Sequence, residues 1–283
     1  MIALWYLANI ESFRGVADRF GVSSSTAWHC LYRICRKLLI VNSVHKIISL
    51  RNQNGFNAIM DRFHRKTGFP GIVGAIDGSH IPIIAPKENH TSYINRKSFH
   101  SVLLQGICDD KQLFMDCYAG EAGSIHDACM FRRSEIGRTL DGLDLPNNGH
   151  FLGDSAYPLK IKLLVPFRDN GHLTNIQRNY NTKHSKNRVV IEQAFAFLKG
   201  RFRRLKLLEV VRLDLIPLVI ISACILHNIA HGAEDFLNDI NIYAQIAEEQ
   251  LMNPENGVNE EVANNALTLA KRNNIANLLL LRN

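Results

Sequence analysis

Three carboxylates in this chain sit where side chains could hold a divalent cation. Asp77 lies in residues 71–82, GIVGAIDGSHIP, after the apolar run Ile72, Val73, Ala75 and Ile76. Gly78, Ser79 and His80 follow it, small or polar residues that let another group approach the backbone, with His80 an accessory to the site. A strand that ends at Asp77 and turns at Gly78 would show the same letters, so company has to decide. Asp154 supplies it: in residues 150–158, HFLGDSAYP, an aspartate again stands where strand character gives way. Carboxylates converging at one edge of an α/β sheet suit Mg²⁺ or Mn²⁺, which prefer oxygen ligands and keep positions open for a phosphate. Glu192 is the third, in SKNRVVIEQAFAFLKGRFRRL, residues 185–205, whose Ile191, Ala194, Phe195, Leu198, Phe202 and Leu205 recur at helical spacing. At about 100° per residue, Arg188, Lys199 and Arg203 fall within about 40° of Glu192, a face that could lie along DNA. The plainer alternative is a solvated face with an Arg188–Glu192 pair at i, i+4.

The elements that must position these groups read as strands over 72–84, 99–108, 112–118 and 150–154, helices over 126–139, 185–206 and 214–231, and an irregular basic segment between. The order suits an antiparallel meander feeding an α/β layer. Residues 159–183 read as a loop long enough to clamp a nucleic-acid strand. In YINRKSFHS, Asn95, Arg96, Lys97 and His100 either hold phosphates or form a solvated hairpin. Asp127, in GSIHDACMF, either starts the following helix or is a fourth carboxylate near the site. Cys224, His227 and His231 share a helix face, but a buried cysteine and helix-end histidines account for them as well as zinc would.

Upstream, residues 1–45 have helix-turn-helix grammar. Ser12 caps a helix carrying Val16, Ala17 and Phe20; Gly21 to Ser23 turn; Ser23 caps a second helix with Ala27, Leu31, Ile34 and Leu38 inward. Its outward face carries Ser24, Ser25, Trp28, His29, Tyr32, Arg33 and Arg36, a mixture able to meet bases and phosphates, with Arg33 and Arg36 the DNA contacts. Residues 46–70 form a connector in which RNQNGFN is a turn and MDRFHRKTG a short helix, 71–235 the catalytic core, and 236–283 a partly helical tail.

The 283 residues, 46% hydrophobic and 21% charged, allow one sizeable core plus a small accessory domain. No apolar run approaches the roughly 20 residues of a membrane span, and the opening lacks the marks of a secretory signal. Six cysteines without a CxxC pair fit a reduced compartment, nucleus or cytosol. The net charge of +7 favours a polyanionic partner. No HExxH, Walker loop, GxSxG or dinucleotide-binding glycine pattern occurs, so the common rival hydrolase and cofactor classes lose support.

Six ordered blocks, GAIDGSH, YINRKSFHS, GSIHDACMF, GDSAYP, VVIEQAFAFLKGRFRRL and CILHNIAHG, together resemble the Harbinger-type (PIF/Harbinger) DDE transposases and the nucleases domesticated from them. The resemblance spans residues 10–234. It places the family's acidic triad on Asp77, Asp154 and Glu192, and implies a ribonuclease H-like core and metal-dependent cleavage of double-stranded DNA. Two Mg²⁺ or Mn²⁺ ions about 3.5–4 Å apart would do that chemistry. It further implies a nuclear location and a separate Myb-like DNA-binding partner protein, and leaves a homo-oligomer open. A protein that keeps the fold as a DNA-binding scaffold without turnover is the alternative. Three clustered carboxylates should repel one another in the metal-free protein.

Overall fold

The computed structural model describes residues 1–210, 212–231 and 266–280. Its centre is a five-stranded sheet in the order β3-β2-β1-β4-β5, built from β1 (Ile72–Pro82), β2 (Ser101–Cys108), β3 (Phe114–Ala122), β4 (His150–Leu152) and β5 (Leu163–Leu164). The pairs β1–β2 and β2–β3 are antiparallel, whereas β1–β4 and β4–β5 are parallel. All of β2 and the first five residues of β1 are buried, so both faces of the sheet are covered and its central strands read as nearly continuous apolar runs. Among the described residues no helix is long and apolar enough to cross a membrane.

Nine α-helices surround the sheet among the described residues: α1 (Ile2–Ala8), α2 (Phe13–Phe20), α3 (Ser24–His45), α4 (Gln53–Thr67), α5 (Asp127–Arg133), α6 (Glu135–Thr139), α7 (Asn175–Arg201), α8 (Leu215–His231) and α9 (Ala266–Leu280). Helices α4 and α7 pack on β1, and α8 packs on β3. Helix α4 departs from the expected turn over RNQNGFN. Asn52 accepts from the Gly55 N–H and starts a helix that runs through the segment, tucking Phe56, Ile59 and Phe63 under the sheet.

The longest helix also begins earlier than its apolar stripe suggests. Thr174 and Gln177 form a capping box, so α7 starts at Asn175 and spans roughly 40 Å. Part of the presumed clamping loop is therefore helix, and another part is β5. The far end of α7 is shorter than expected as well. It stops at Arg201, because Phe202 and Leu205 turn into the core, and residues Arg203–Lys206 form a 3₁₀ turn. The expected helix over 126–139 is two, α5 and α6, divided by Ser134, which caps the second through the Gly137 N–H.

At the N-terminus, Ser12 and Ser23 accept from Gly15 and Thr26 N–H groups, and Gly21 takes the left-handed conformation (φ 63°) that the tight turn between α2 and α3 needs. The inward stripe of α3 is Ala27, Leu31 and Cys35 at four-residue spacing, while Ile34 is 41% exposed, contrary to the expected stripe through Ile34 and Leu38. Trp28 and Tyr32 are half-buried and stacked on each other at 5.5 Å. These helices share one apolar cluster with the sheet. Arg204, fully buried, donates to the carbonyls of Tyr6 and Glu11 and lies 4.2 Å from the centre of the Tyr6 ring. Of the tail, residues 236–265 and 281–283 lie outside the described residues. The helix α9 docks on α7, and Asn179 donates to the Leu279 carbonyl.

Candidate active site

The sheet explains why Asp77 is accessible although it lies inside a strand. β1 runs on to Pro82 against β2, with Asp77 opposite Gly106. On its other side the parallel partner β4 ends at the pair Ala75–Leu152. Asp77 and Asp154 each stand two residues beyond that last pair, and the charges of both act on Arg188 and on Tyr157. The strand-end expectation thus holds for Asp154 and is corrected for Asp77: the neighbouring strand ends there, not its own. Backbone N–H groups hold one oxygen of each aspartate, Gly78 N–H to Asp77 Oδ1 and Ala156 N–H to Asp154 Oδ1, both at 2.9 Å.

Asp127 belongs to the same cluster. It is the first residue of α5, behind His126, and its Oδ1 lies where a Cβ on Gly78 would be only 2.4 Å away. Gly78 is required for that approach, and both readings of Asp127 describe its place, since it opens α5 and lies against Gly78. Tyr157 packs against Phe131 with 3% of its surface exposed, and its buried hydroxyl makes no hydrogen bond. Burial first, then the charges of Asp127, Asp77 and Asp154, push its phenol well above the ordinary range. Three aspartates and one tyrosine therefore report on a single neighbourhood.

Helix α7 delivers Glu192 to it with an arginine alongside. Arg188 Nη1 donates to Asp77 Oδ2 at 2.8 Å, and Nη2 donates to Glu192 Oε1. Arg188, Asp77 and Glu192 side chains are 19%, 17% and 18% exposed, so this is no solvated surface pair. Burial opposes the Arg188 charge, but Asp77, then Glu192, then Asp154 outweigh it and raise its pKa. Glu192 is shifted upward by burial, against the pull of Arg188 and with help from Asp77. The two rise for different reasons: Arg188 because three carboxylates surround one cation, Glu192 chiefly because it is buried. Glu192 Oε2 is buried and accepts no hydrogen bond. Sequence spacing offered the i, i+4 pair but not the contact from Arg188 to Asp77, 111 residues away.

The other expected residues separate into groups. His80 is turned to Ser101, with Nδ1 3.0 Å from Oγ, and its pKa is lowered to about 4 by burial, then by Lys199, Lys97 and Arg96. Lys199 is half-buried and donates to Ser79 Oγ at 2.8 Å and to the His80 carbonyl at 3.0 Å. Its pKa falls to about 8 through burial, then Lys97 and Lys206. Lys199 thus ties α7 to β1 rather than lying along an open helix face, while Arg96, Lys97 and Lys206 form an exposed cationic rim beside it. Asn95 is buried and organises its loop, accepting from the Lys97 and Phe99 N–H groups. Arg203 is exposed but lies past the end of α7, so it does not share a helical stripe with Glu192. Arg33 and Arg36 are exposed on α3. Cys224 and His227 are buried, with His227 Nε2 3.1 Å from the Gln112 carbonyl, an ordinary core arrangement.

Oxygen donors of this kind suit a hard divalent cation, and the unpartnered Glu192 oxygen fits that use. As they stand, no three His, Cys, Asp or Glu side chains among the described residues come together closely enough to hold a metal ion.

A mixed α/β protein with carboxylates gathered beside the end of a parallel strand pair is the class of molecule defined so far. Residues 76–228 match the DDE superfamily endonuclease family, and the chain belongs to that family. It is of Harbinger type. It is 28% identical over 226 residues to the proteins named "Putative nuclease HARBI1" of Rattus norvegicus and Homo sapiens, covering 77% of this chain and 63% of each relative. The "Protein ALP1-like" of Arabidopsis thaliana is 28% identical over 250 residues, covering 83% of this chain and 60% of that protein. The chain therefore spans less than two thirds of the length of these relatives. No solved structure matches it.

Proposed function

We propose that this protein is a metal-dependent DNA endonuclease, a phosphodiester hydrolase in which Asp77, Asp154 and Glu192 hold Mg²⁺ or Mn²⁺ in a ribonuclease H-like core. The observation that carries the reading is the register of β1 and β4, which sets Asp77 and Asp154 side by side two residues past Ala75 and Leu152. Membership of the DDE superfamily endonuclease family and the sheet order, three antiparallel strands followed by two parallel ones, support it. When bound, the divalent cation supplies Lewis-acid activation of the attacking oxygen and stabilisation of the leaving one. The chain's own residues hold and orient. Backbone N–H groups fix the two aspartates, and Asp127 beside Gly78 adds negative charge at the rim. Lys199 braces the half-buried part of β1 at Ser79 and His80. The cations Arg96, Lys97 and Lys206 are placed to draw a phosphate backbone toward the carboxylates, and the α2–turn–α3 unit offers Arg33 and Arg36 to a duplex. The nucleus is the matching compartment, and a Myb-like protein the matching partner.

Nicking of supercoiled plasmid by the purified chain, titrated with Mg²⁺ or Mn²⁺, tests the proposal. Metal-dependent nicking that Asp154→Asn abolishes supports it. Full nicking by that variant, in protein freed of contaminating nuclease, refutes the assignment, and duplex binding without any nicking leaves a DNA-binding scaffold.

A further inference from the structure

We infer that Arg188 is a built-in counter-ion standing in the place of the divalent cation, so that metal loading requires its guanidinium to leave Asp77 and Glu192. The inference rests on the reading of these carboxylates as metal ligands and adds a competitor that sets how tightly they bind.

The contacts argue for it directly. One planar fork engages Asp77 Oδ2 through Nη1 and Glu192 Oε1 through Nη2, a rigid two-nitrogen geometry that the single nitrogen of an ammonium does not reproduce. Those oxygens are anionic and mostly shielded from water, so they require a cation in the metal-free protein. A divalent ion of Mg²⁺ size binds carboxylate oxygens at about 2.1 Å, and at that range its charge repels a guanidinium inserted between the same two side chains. The two cations therefore compete for the same carboxylates. Glu192 keeps a second, buried oxygen without a hydrogen bond, which leaves it an acceptor for an incoming cation.

Helix α7 decides what can move. Arg188 and Glu192 lie one turn apart on it, and Asn187, Val190, Ile191 and Ala194 anchor it in the core. The helix is held, so the exchange is a rotation of the Arg188 side chain. Asn187 Nδ2 reinforces the anchor by donating to Thr67 Oγ1 on α4 at 2.9 Å and to the Lys183 carbonyl at 2.7 Å. If the binding-competent, arginine-out state is about a tenth of the metal-free population, the apparent affinity is about tenfold weaker than the intrinsic one.

The experiment measures Mn²⁺ binding to the full chain by the electron paramagnetic resonance signal of free Mn²⁺, for the wild type, Arg188→Gln, Arg188→Lys and Asp154→Asn. Both Arg188 variants should bind Mn²⁺ about tenfold tighter than the wild type, equivalent to about 1.4 kcal/mol. Lysine keeps the charge but carries it on a single nitrogen, without the fork that spans Asp77 and Glu192, so wild-type affinity in Arg188→Lys would mean that Arg188 acts only as a distant charge, and would overturn the proposal. Weaker binding in Arg188→Gln would overturn it too, by making Arg188 a positioner of the ligands. Should Arg188→Gln fail to fold, the lysine variant decides, together with the Arg188 side-chain nitrogen resonances of the wild type. Those resonances should report a paired guanidinium without metal and lose that signature on saturation with Mg²⁺. Persistence of the signature at saturation refutes displacement. Equal Mn²⁺ binding by the wild type and Asp154→Asn, or no binding by any form, would instead remove the metal-site reading itself and the inference with it.

Discussion

Arg188→Gln should destabilise the metal-free protein, whereas Glu192→Gln should leave it as stable as the wild type or more so. Arg188 bridges Asp77 and Glu192 with less than a fifth of each side chain exposed, and both raise its pKa, so its charge favours the fold. The Glu192 pKa is raised by burial, so at pH 7 its charge opposes folding and a neutral glutamine removes that cost. Removing one partner of a fully buried ion pair costs about 3–5 kcal/mol, and of an exposed pair about 0–1. The Arg188 cluster lies between these limits, so about 2 kcal/mol is expected for Arg188→Gln. For a domain of this size that lowers Tm by roughly 5 °C. Thermal and urea unfolding with chelator present at pH 7 measure both variants. Addition of Mn²⁺ at about a hundred times its Kd should stabilise the wild type by about 2.7 kcal/mol and Glu192→Gln far less. An Arg188→Gln protein as stable as the wild type without metal, or more stable, would refute the picture of Arg188 as the shared counter-ion.

Acid should unfold the protein through its core histidines. Burial lowers the pKa of His150, His184 and His227 to about 3 each, so the folded state keeps them neutral while the unfolded chain protonates them near 6.5. The unfolded state then binds more protons, and stability is lost as pH falls from about 6.5 toward 3, with a slope approaching about 4 kcal/mol per pH unit. Urea midpoints that stay level from pH 7 to pH 5 would show that these histidines are not held neutral. Duplex affinity should report the cationic rim: replacing Lys97 and Lys206 by Ala should flatten the plot of log affinity against log salt by up to about two units, and an unchanged slope would remove that path. Lys199 is a poor probe for the same purpose, because its ammonium also holds Ser79 and the His80 carbonyl in place.

The parts of this site that could be read from sequence are those set by local pattern. The apolar run before Asp77, the caps at Ser12 and Ser23 and the glycine turn at Gly21 all have neighbours in sequence as their cause, and the structure shows them. What was not legible depends on pairing between distant segments. Nothing near Asp77 tells that its strand continues while β4 stops at Leu152, nor that Arg188 reaches across to it. Helix ends failed for a related reason. Azimuths on an ideal helix placed Arg203 beside Glu192, but the helix ends where Phe202 and Leu205 find the core, and Arg204 is drawn under α1. The asparagine and glycine of RNQNGFN suggested a turn. Tertiary burial of Phe56 and Ile59 made the segment a helix, with the asparagine as its cap.

The central claim is that Asp77, Asp154 and Glu192 together bind the divalent cations that cleave DNA. An anomalous difference map from crystals of the full chain, grown or soaked with Mn²⁺ at a concentration that supports plasmid nicking, tests it most directly. The expected result is an anomalous peak in contact with carboxylate oxygens of all three residues, with Arg188 withdrawn from Asp77 and Glu192. A map without such a peak, with Arg188 still bridging the two carboxylates while the same protein nicks DNA in Mn²⁺, would contradict it.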